Sequence, residues 1–292
     1  MINEALVSRL VASQFPQWKD LPIRRVVPSG WDNRTFRLGE RMLVRMPSAT
    51  EYAVQIEKEQ LWLPRLASLL PLSIPEPLAQ GGPEKGYPWS WSIYRWLEGR
   101  TIADASIANL YDIAISLSNF LNVLQRIDTK GGPLPGTHNF YRGGSLAIYD
   151  AETRKAIALL KDDIDVDAAL EIWKTALKTT WHDSPVWIHG DISPGNLLVQ
   201  EGQLSSVIDF GGLAVGDPAC DLAIAWTLFE SESRKTFRSM LLLDAGTWER
   251  GRAWALWKAL IVVAGITDTT IVEAERSRHT IDEILADHRR SA

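Results

Sequence analysis

Two aspartates and an asparagine, close together and in a fixed order, are the residues of this chain best suited to chemistry. Asp191 and Asn196 stand in His189-Gly190-Asp191-Ile192-Ser193-Pro194-Gly195-Asn196, and Asp209 follows in Val207-Ile208-Asp209-Phe210-Gly211-Gly212. Phosphoryl transfer from a nucleoside triphosphate needs one carboxylate to orient the acceptor hydroxyl. It also needs an amide oxygen and a second carboxylate to hold magnesium against the phosphates. Magnesium prefers few protein oxygens plus phosphate and water, so Asn196 and Asp209 are enough. Taken singly, Asp191 also fits a turn cap before Pro-Gly, Asn196 a loop residue bonding its own backbone, and Asp209 a strand-end turn. The ordered set between two apolar runs favours the chemical reading.

The three groups meet only if a short loop and a β-hairpin carry them, so residues 186–212 are expected as short strands and turns. Ahead of them, apolar positions at Ala5, Leu6, Leu10 and Val11 fit a short helix over 2–14. Strand-type runs follow near 23–28, 34–38 and 41–46, with tight turns at Ser29–Asn33 and Leu38–Arg41. Residues 50–69 read as a helix that Pro71, Pro75 and Pro77 end, leading into an extended connection, and 89–96 is an aromatic strand. After Gly99 the pattern turns helical. Ile107, Leu110, Ala114, Leu117, Leu121 and Leu124 recur at three- and four-residue steps, and further helices are expected at 151–161, 166–181 and on to the C-terminus. Residues 131–146 form a Gly/Pro-rich loop. The chain is therefore expected to be α+β and two-lobed, with a small strand-rich lobe over residues 1–97 and a larger helical lobe over 98–292. A cleft between such lobes is where a pocket is expected.

Composition narrows the classes. The 292 residues are 46% apolar and 23% charged, ordinary for a globular protein with a full core. A net charge of −5 argues against a nucleic-acid surface. The single cysteine, Cys220, permits neither an internal disulfide nor a Cys-rich metal site and fits a reducing cytosol. The first residues lack the basic start and apolar run of a signal peptide, and the apolar run 259–264 is too short to cross a bilayer. A cytoplasmic protein with no membrane partner is expected; oligomeric state is not indicated. Thirteen tryptophans suit core packing, with some free to line an acceptor pocket.

The chain resembles the aminoglycoside phosphotransferase family of kinase-like enzymes, which includes macrolide, choline and homoserine kinase relatives. The resemblance rests on Trp187–Val199, on Val207–Gly212 and on Gly216-Asp217-Pro218-Ala219-Cys220-Asp221-Leu222-Ala223, with Ser29–Asn33 and Leu43–Pro47 upstream. It implies a protein-kinase-like fold and a small-molecule kinase using ATP or GTP with Mg2+. By the same resemblance Asp191 orients or takes the proton of the attacking hydroxyl, and Asn196 and Asp209 hold magnesium. His189 and Asp221 brace the catalytic loop. A metal-ligand role for His189 has no second histidine cluster behind it. Gly190 stands where protein kinases have arginine, which implies activity without a phosphorylated loop.

Arg45 departs from the usual lysine that contacts the α- and β-phosphates. Its helix partner is expected at Glu59, with Glu57 as the alternative. The phosphate-covering loop has one glycine, and Ser29 with Asn33 is expected at the nucleotide. Tyr94-Arg95-Trp96-Leu97 resembles the hinge, so adenine would bond the carbonyl of Arg95 and the N–H of Leu97.

By resemblance the leading acceptor is an aminoglycoside-type antibiotic. A polycation requires several carboxylates, and Asp217, Glu230, Glu232, Asp244, Glu249 and the acidic run Asp162, Asp163, Asp165 and Asp167 are the candidates. A solvated helix face explains that run equally well. The tryptophans favour a partly apolar acceptor such as a macrolide. A kinase for an amino alcohol or sugar, and a nucleotide-binding module without transfer, are the alternatives. The aromatic and basic loop His138–Gly144 borders the acceptor cleft or anchors a long loop.

Overall fold

Asn3 starts the first helix by accepting the Leu6 N–H at 3.0 Å, and the apolar stripe Leu6, Val7, Leu10 and Val11 then has a face to bury. The computed structural model describes residues 2–27, 32–105, 107 and 109–291. In it, helix α1 (Glu4–Gln14) packs that stripe on an antiparallel sheet of β1 (Ile23–Arg25), β2 (Asn33–Leu38), β3 (Met42–Pro47), β4 (Pro77–Gly81) and β5 (Trp91–Arg95). The order is β1-β2-β3-β5-β4. Phe36, Val44, Met46, Trp91 and Ile93 form the sheet side of this small core.

Strand β4 falls within the segment read from sequence as an extended connection. Pro77 is its first residue and β4 is an edge, the place where a strand tolerates a missing N–H. Gly81 is required there, because a Cβ would lie 2.1 Å from the Trp91 ring.

Helix α2 (Thr50–Ala67) follows β3 and faces the other way. Its Trp62, Leu63 and Leu66 join the large core of the helical lobe. That lobe begins with β6 (Arg100–Thr101) and α3 (Leu110–Leu124), whose buried stripe is Ile113, Leu117, Phe120, Leu121 and Leu124. The expected start at Ile107 is too early, since Asn109 caps the helix by accepting the Tyr111 N–H at 2.9 Å. Next come α4 (Asp150–Leu159) and α5 (Val166–Leu177). The latter stops short of residue 181, where the Thr179 hydroxyl donates to the Ala176 carbonyl at 2.8 Å and competes with the helix ladder. Strand β7 (Val186–Ile188), the hairpin β8 (Leu197–Gln200) and β9 (Gln203–Val207), and β10 (Ala214–Gly216) carry the motif region. Helices α6 (Ile224–Thr227), α7 (Ser231–Met240), α8 (Ala245–Val263) and α9 (Ile271–Ser291) complete the lobe. The fold is a two-lobed α+β kinase-like one, with β7 pairing β10 and β8 lying between β6 and β9.

The lobes meet through more than the chain crossing near residue 97. Trp62 of α2 meets Trp187 of β7 edge to face, centroids 4.8 Å apart. The segment between α2 and β4 is bonded to β9, with Ser73 N–H donating to the Ser205 carbonyl at 3.3 Å and Val207 N–H to the Ser73 carbonyl at 3.0 Å. Among the described residues no helix is long and apolar enough to cross a membrane. Because Trp187 is fully buried and donates its indole N–H to the Asp128 carbonyl at 2.9 Å, Trp187→Ala is expected to cost about 3–5 kcal/mol. A denaturant titration reads this as a lower midpoint, and a loss below about 1 kcal/mol contradicts it.

Candidate active site

Strand β7 ends at Ile188 and delivers the His189–Asn196 loop, which a buried carboxylate holds. Asp221 accepts the backbone N–H of His189 at 2.8 Å and of Gly190 at 2.7 Å. Burial pushes its pKa above the usual value, with His189 and these two N–H groups opposing. The His189 ring then joins the two motif segments. Its Nε2–H donates to the Ile208 carbonyl at 3.0 Å, and Nδ1 accepts the Asp191 N–H at 3.2 Å. Phe210 packs edge-on to the ring at 4.5 Å. Gly190 sits at φ +84°, and a Cβ there would meet the Gly212 carbonyl at 2.3 Å, so the two segments cross at a point only glycine allows.

That crossing sets the acid–amide pair. Asn196, in a 3-10 turn before β8, donates its side-chain N–H to the Asp191 carbonyl at 2.9 Å and to Asp191 Oδ2 at 3.0 Å. The amide oxygen of Asn196 is thereby its remaining acceptor. Ile208 N–H donates to the Asn196 carbonyl at 2.9 Å, placing Asp209 just beyond the Asn196 backbone. Asp209 has left-handed backbone dihedrals, φ 65° and ψ 72°, a sparsely populated region for aspartate that clusters at functional sites.

Arg45 closes the site from the other lobe. Its Nη1 pairs with Glu59 Oε1 at 2.7 Å and its Nη2 with Asp209 Oδ1 at 2.6 Å. The Arg45 and Glu59 side chains are 11% and 1% exposed, so these charges interact with little screening. Tyr94 donates its hydroxyl to Glu59 Oε2, and the Asn33 amide, oriented with its oxygen toward Arg45, accepts from Nε at 3.1 Å and Nη2 at 3.0 Å. Glu59 rather than Glu57 is thus the helix partner, and Glu57 is solvent-exposed. Burial opposes ionisation of both Arg45 and Asp209. Even so, their attraction raises the guanidinium pKa and holds the Asp209 carboxyl below the usual range. Behind them, Lys58 donates to the Gly211 carbonyl at 2.7 Å and lies 3.2 Å from His138 Nδ1. Burial lowers its pKa to about 8.

Asp191 and Asp209 line one cleft of about 1050 Å³ between the lobes, with Asp32 beside them. Asp32 was not singled out from sequence for chemistry. Burial, then the charges of Asp209 and Asp191, push its carboxyl up to about 6, with Arg45 and Lys258 opposing. The cations Arg45 and Lys58 therefore face the carboxyl groups of Asp32, Glu59, Asp191 and Asp209. This excess negative charge, with Asn196 and Asp209 offering hard oxygens, fits a magnesium ion arriving with its triphosphate. Among the described residues no cluster of three or more His, Cys, Asp or Glu forms a cage that would hold a metal by itself.

The other sequence-derived positions are dispersed. Ser29 lies outside the described residues. Asn33 is buried against Arg45. Arg95 and Leu97 lie at and just beyond the end of β5, outside the cleft lining, with the Arg95 side chain paired to Glu76 at 2.6 Å.

The acids considered for a polycationic acceptor do not line the cleft. Asp217 pairs with Arg250 at 2.6 Å, Glu249 with Arg252, and Glu232 with Lys235 at 2.7 Å. Asp244 and Asp165 cap α8 and α5, and Glu230 sits at the N-cap of α7. Asp162, Asp163 and Asp167 are solvent-exposed. The far half of the cleft is built instead from Phe140, Arg142, Tyr149, Glu152, Trp254 and Trp257, with Asp268 and Glu273 at its rim. Of these, only the loop carrying Phe140 and Arg142 had a sequence signal as a cleft border. Helix α8 is buried on nearly every side, so periodicity does not mark Trp254 and Trp257.

A family described as the phosphotransferase enzyme family matches residues 24–254. None of the curated proteins compared matches the sequence. Solved structures similar to this chain include the GDP complex of aminoglycoside 2'-phosphotransferase-IIIa, 16% identical with a TM-score of 0.72, covering 98% of this chain and 99% of that one. The streptomycin–ATP–APH(2")-IIa ternary complex is 19% identical with a TM-score of 0.59, covering 98% and 97%. Macrolide 2'-phosphotransferase MphH from Brachybacterium faecium is 19% identical with a TM-score of 0.61, covering 96% and 98%. At these identities the likeness is one of fold.

The Asp32 carboxyl yields a pH prediction. Its pKa is 3.8 in the absence of the fold and about 6 within it, so the folded form carries the extra proton across that window. Stability therefore falls as pH rises through it. Asp32→Asn is expected to melt higher than the wild type at about pH 7.5, with the gap closing below about pH 4. A variant melting lower than the wild type at the higher pH contradicts this.

Proposed function

The chain belongs to the phosphotransferase enzyme family, and from that premise we propose that it transfers the γ-phosphoryl group of ATP or GTP to a hydroxyl of a small acceptor. The observation that carries the proposal is the convergence of Asp191 and Asp209 on one interlobe cleft, with Asn196 bonded to the first and Arg45 to the second. The lobe of residues 1–97 supplies the nucleotide side and residues 98–292 the catalytic loop and acceptor wall.

In this reading the acceptor oxygen attacks the γ-phosphorus as the bond to the β-phosphate oxygen breaks, the nucleoside diphosphate leaves, and the hydroxyl proton passes to Asp191. The Asn196 side chain fixes the Asp191 carboxylate, so its orientation precedes acceptor binding. The Asn196 amide oxygen and the Asp209 carboxylate are the groups that would hold magnesium, which supplies charge neutralisation for the phosphates. Arg45, held by Glu59, Asp209 and Asn33, would supply a fixed positive charge beside the α- and β-phosphates. Ser29 belongs to the phosphate-covering turn, and the backbone of Arg95 and Leu97 to the adenine or guanine edge.

The cleft bears on the acceptor. Of the similar structures, one holds streptomycin with ATP and another is a macrolide 2'-phosphotransferase. The far wall carries Phe140, Tyr149, Trp254 and Trp257, and its acids Glu152, Asp268 and Glu273 are equalled in number, without ion pairs among the described residues, by Arg142, Lys258 and Arg276. An acceptor with a broad apolar face suits this wall better than a densely charged polycation, which wants an acid for each ammonium.

ADP release measured with magnesium across aminoglycoside, macrolide and metabolite acceptors tests the assignment. Asp191→Ala is expected to lower turnover by about 10²–10⁴-fold while ATP affinity changes little. Full activity in that variant refutes the role. Asn196→Ala is expected to raise the magnesium concentration needed for half-maximal binding of a fluorescent ATP analogue, and an unchanged requirement removes Asn196 from the metal site.

A further inference from the structure

The loop of residues 131–146 ends in a cation held in an unusual setting. Asn139, fully buried, accepts the Gly136 N–H at 2.9 Å and donates to the carbonyls of Arg142 at 2.9 Å and Gly212 at 3.2 Å. The Arg142 N–H donates to the Asn139 carbonyl at 3.1 Å, so the Arg142 backbone is tied on both sides. Phe140 and Tyr141 are consecutive non-glycine residues at φ 53° and 54°. Such a conformation is costly for a residue with a side chain and persists where the surroundings impose it, characteristically at binding sites.

This backbone lays Arg142 over two indoles, its guanidinium carbon 5.1 Å from the centroids of Trp254 and Trp257. The platform is itself fixed. Trp257 donates its N–H to Glu152 Oε2 at 2.7 Å and stacks on Tyr149 at 4.0 Å, and Tyr149 donates its hydroxyl to the Phe140 carbonyl at 2.6 Å. Among the described residues no carboxylate lies within ion-pair distance of Arg142, although it lines the same cleft as Asp191. Ring faces attract a cation without satisfying its N–H groups, whose forked edge matches a carboxylate in two places.

Resting on the acceptor cleft assigned above, we propose that Arg142 is a specificity-determining residue that binds a carboxylate carried by the acceptor next to an aromatic or apolar face. A polycation brought to this wall meets a fixed positive charge, whereas a hydroxy acid gains a bidentate pair at the wall of the cleft that holds Asp191. The aromatic platform selects the apolar part, and Arg142 selects the charge.

Calorimetric titration of the full chain, loaded with magnesium and a non-hydrolysable ATP analogue, tests this with mandelate and methyl mandelate. Both carry a ring and a hydroxyl, and only the first has a free carboxylate. The wild type is expected to bind mandelate at least about tenfold more tightly than the ester. Arg142→Ala is expected to abolish that preference by weakening mandelate alone, and Arg142→Lys to retain part of it. Binding of a fluorescent ATP analogue shows that each variant is folded, and Arg142→Lys serves if Arg142→Ala is not. Equal wild-type affinity for the two compounds, binding of neither, or an undiminished preference in Arg142→Ala overturns the proposal. Failure of the phosphotransferase reading looks different, as a wild-type protein that does not bind the nucleotide analogue.

Discussion

One buried guanidinium sets the geometry of this molecule. Arg45 comes from β3, Glu59 from α2 and Asp209 from the turn after β9, so a single cation joins the sheet, the helix beside it and the opposite lobe. A buried ion pair need not add net stability, because desolvation offsets the attraction, but removing one member leaves an uncompensated charge that costs about 3–5 kcal/mol. The arrangement therefore fixes position more than it adds stability. It also explains why arginine works where lysine is usual. A planar fork reaches Glu59 and Asp209 at once, with Asn33 and Tyr94 satisfying what remains around the cluster.

The grouping of Asp191, Asn196 and Asp209 was legible in the sequence because it is local. Asp191, Asn196 and Asp209 lie within one loop and one hairpin, and their spacing alone brings them together. The partner of Arg45 was narrowed to two acids on one helix but not decided. Glu57 and Glu59 differ only in which side of α2 is buried, and that depends on the docking of Trp62, Leu63 and Leu66 on the other lobe. Strand β4 was hidden by prolines that mark an edge strand as readily as a connection.

The far wall of the cleft was legible only in part, for a physical reason. Its pieces come from three distant segments, 140–152, 254–258 and 266–276, and only tertiary packing assembles them. The acids that seemed suited to it are mostly helix caps and ion-pair partners, roles that demand the same residue types. Asp217 and Asp244 show how a carboxylate near the end of an apolar run is ambiguous until its neighbours are known. On the far wall alone Glu152, Asp268 and Glu273 stand against Arg142, Lys258 and Arg276, a local balance of sign that composition averages away.

Ser73 has a bearing on motion. It sits between α2 and β4 yet is bonded on both sides to β9, through Ser205 and Val207, the latter two residues before Asp209. The small lobe is therefore stitched to the large one at a second place besides the crossing near residue 97. With the Trp62–Trp187 contact and the Arg45–Asp209 pair, these attachments leave little freedom for the lobes to slide or twist past one another. A shift of the small lobe would tug on β9, which ends at Val207 two residues before Asp209, making the aperture of the cleft and the posture of that aspartate one mechanical variable.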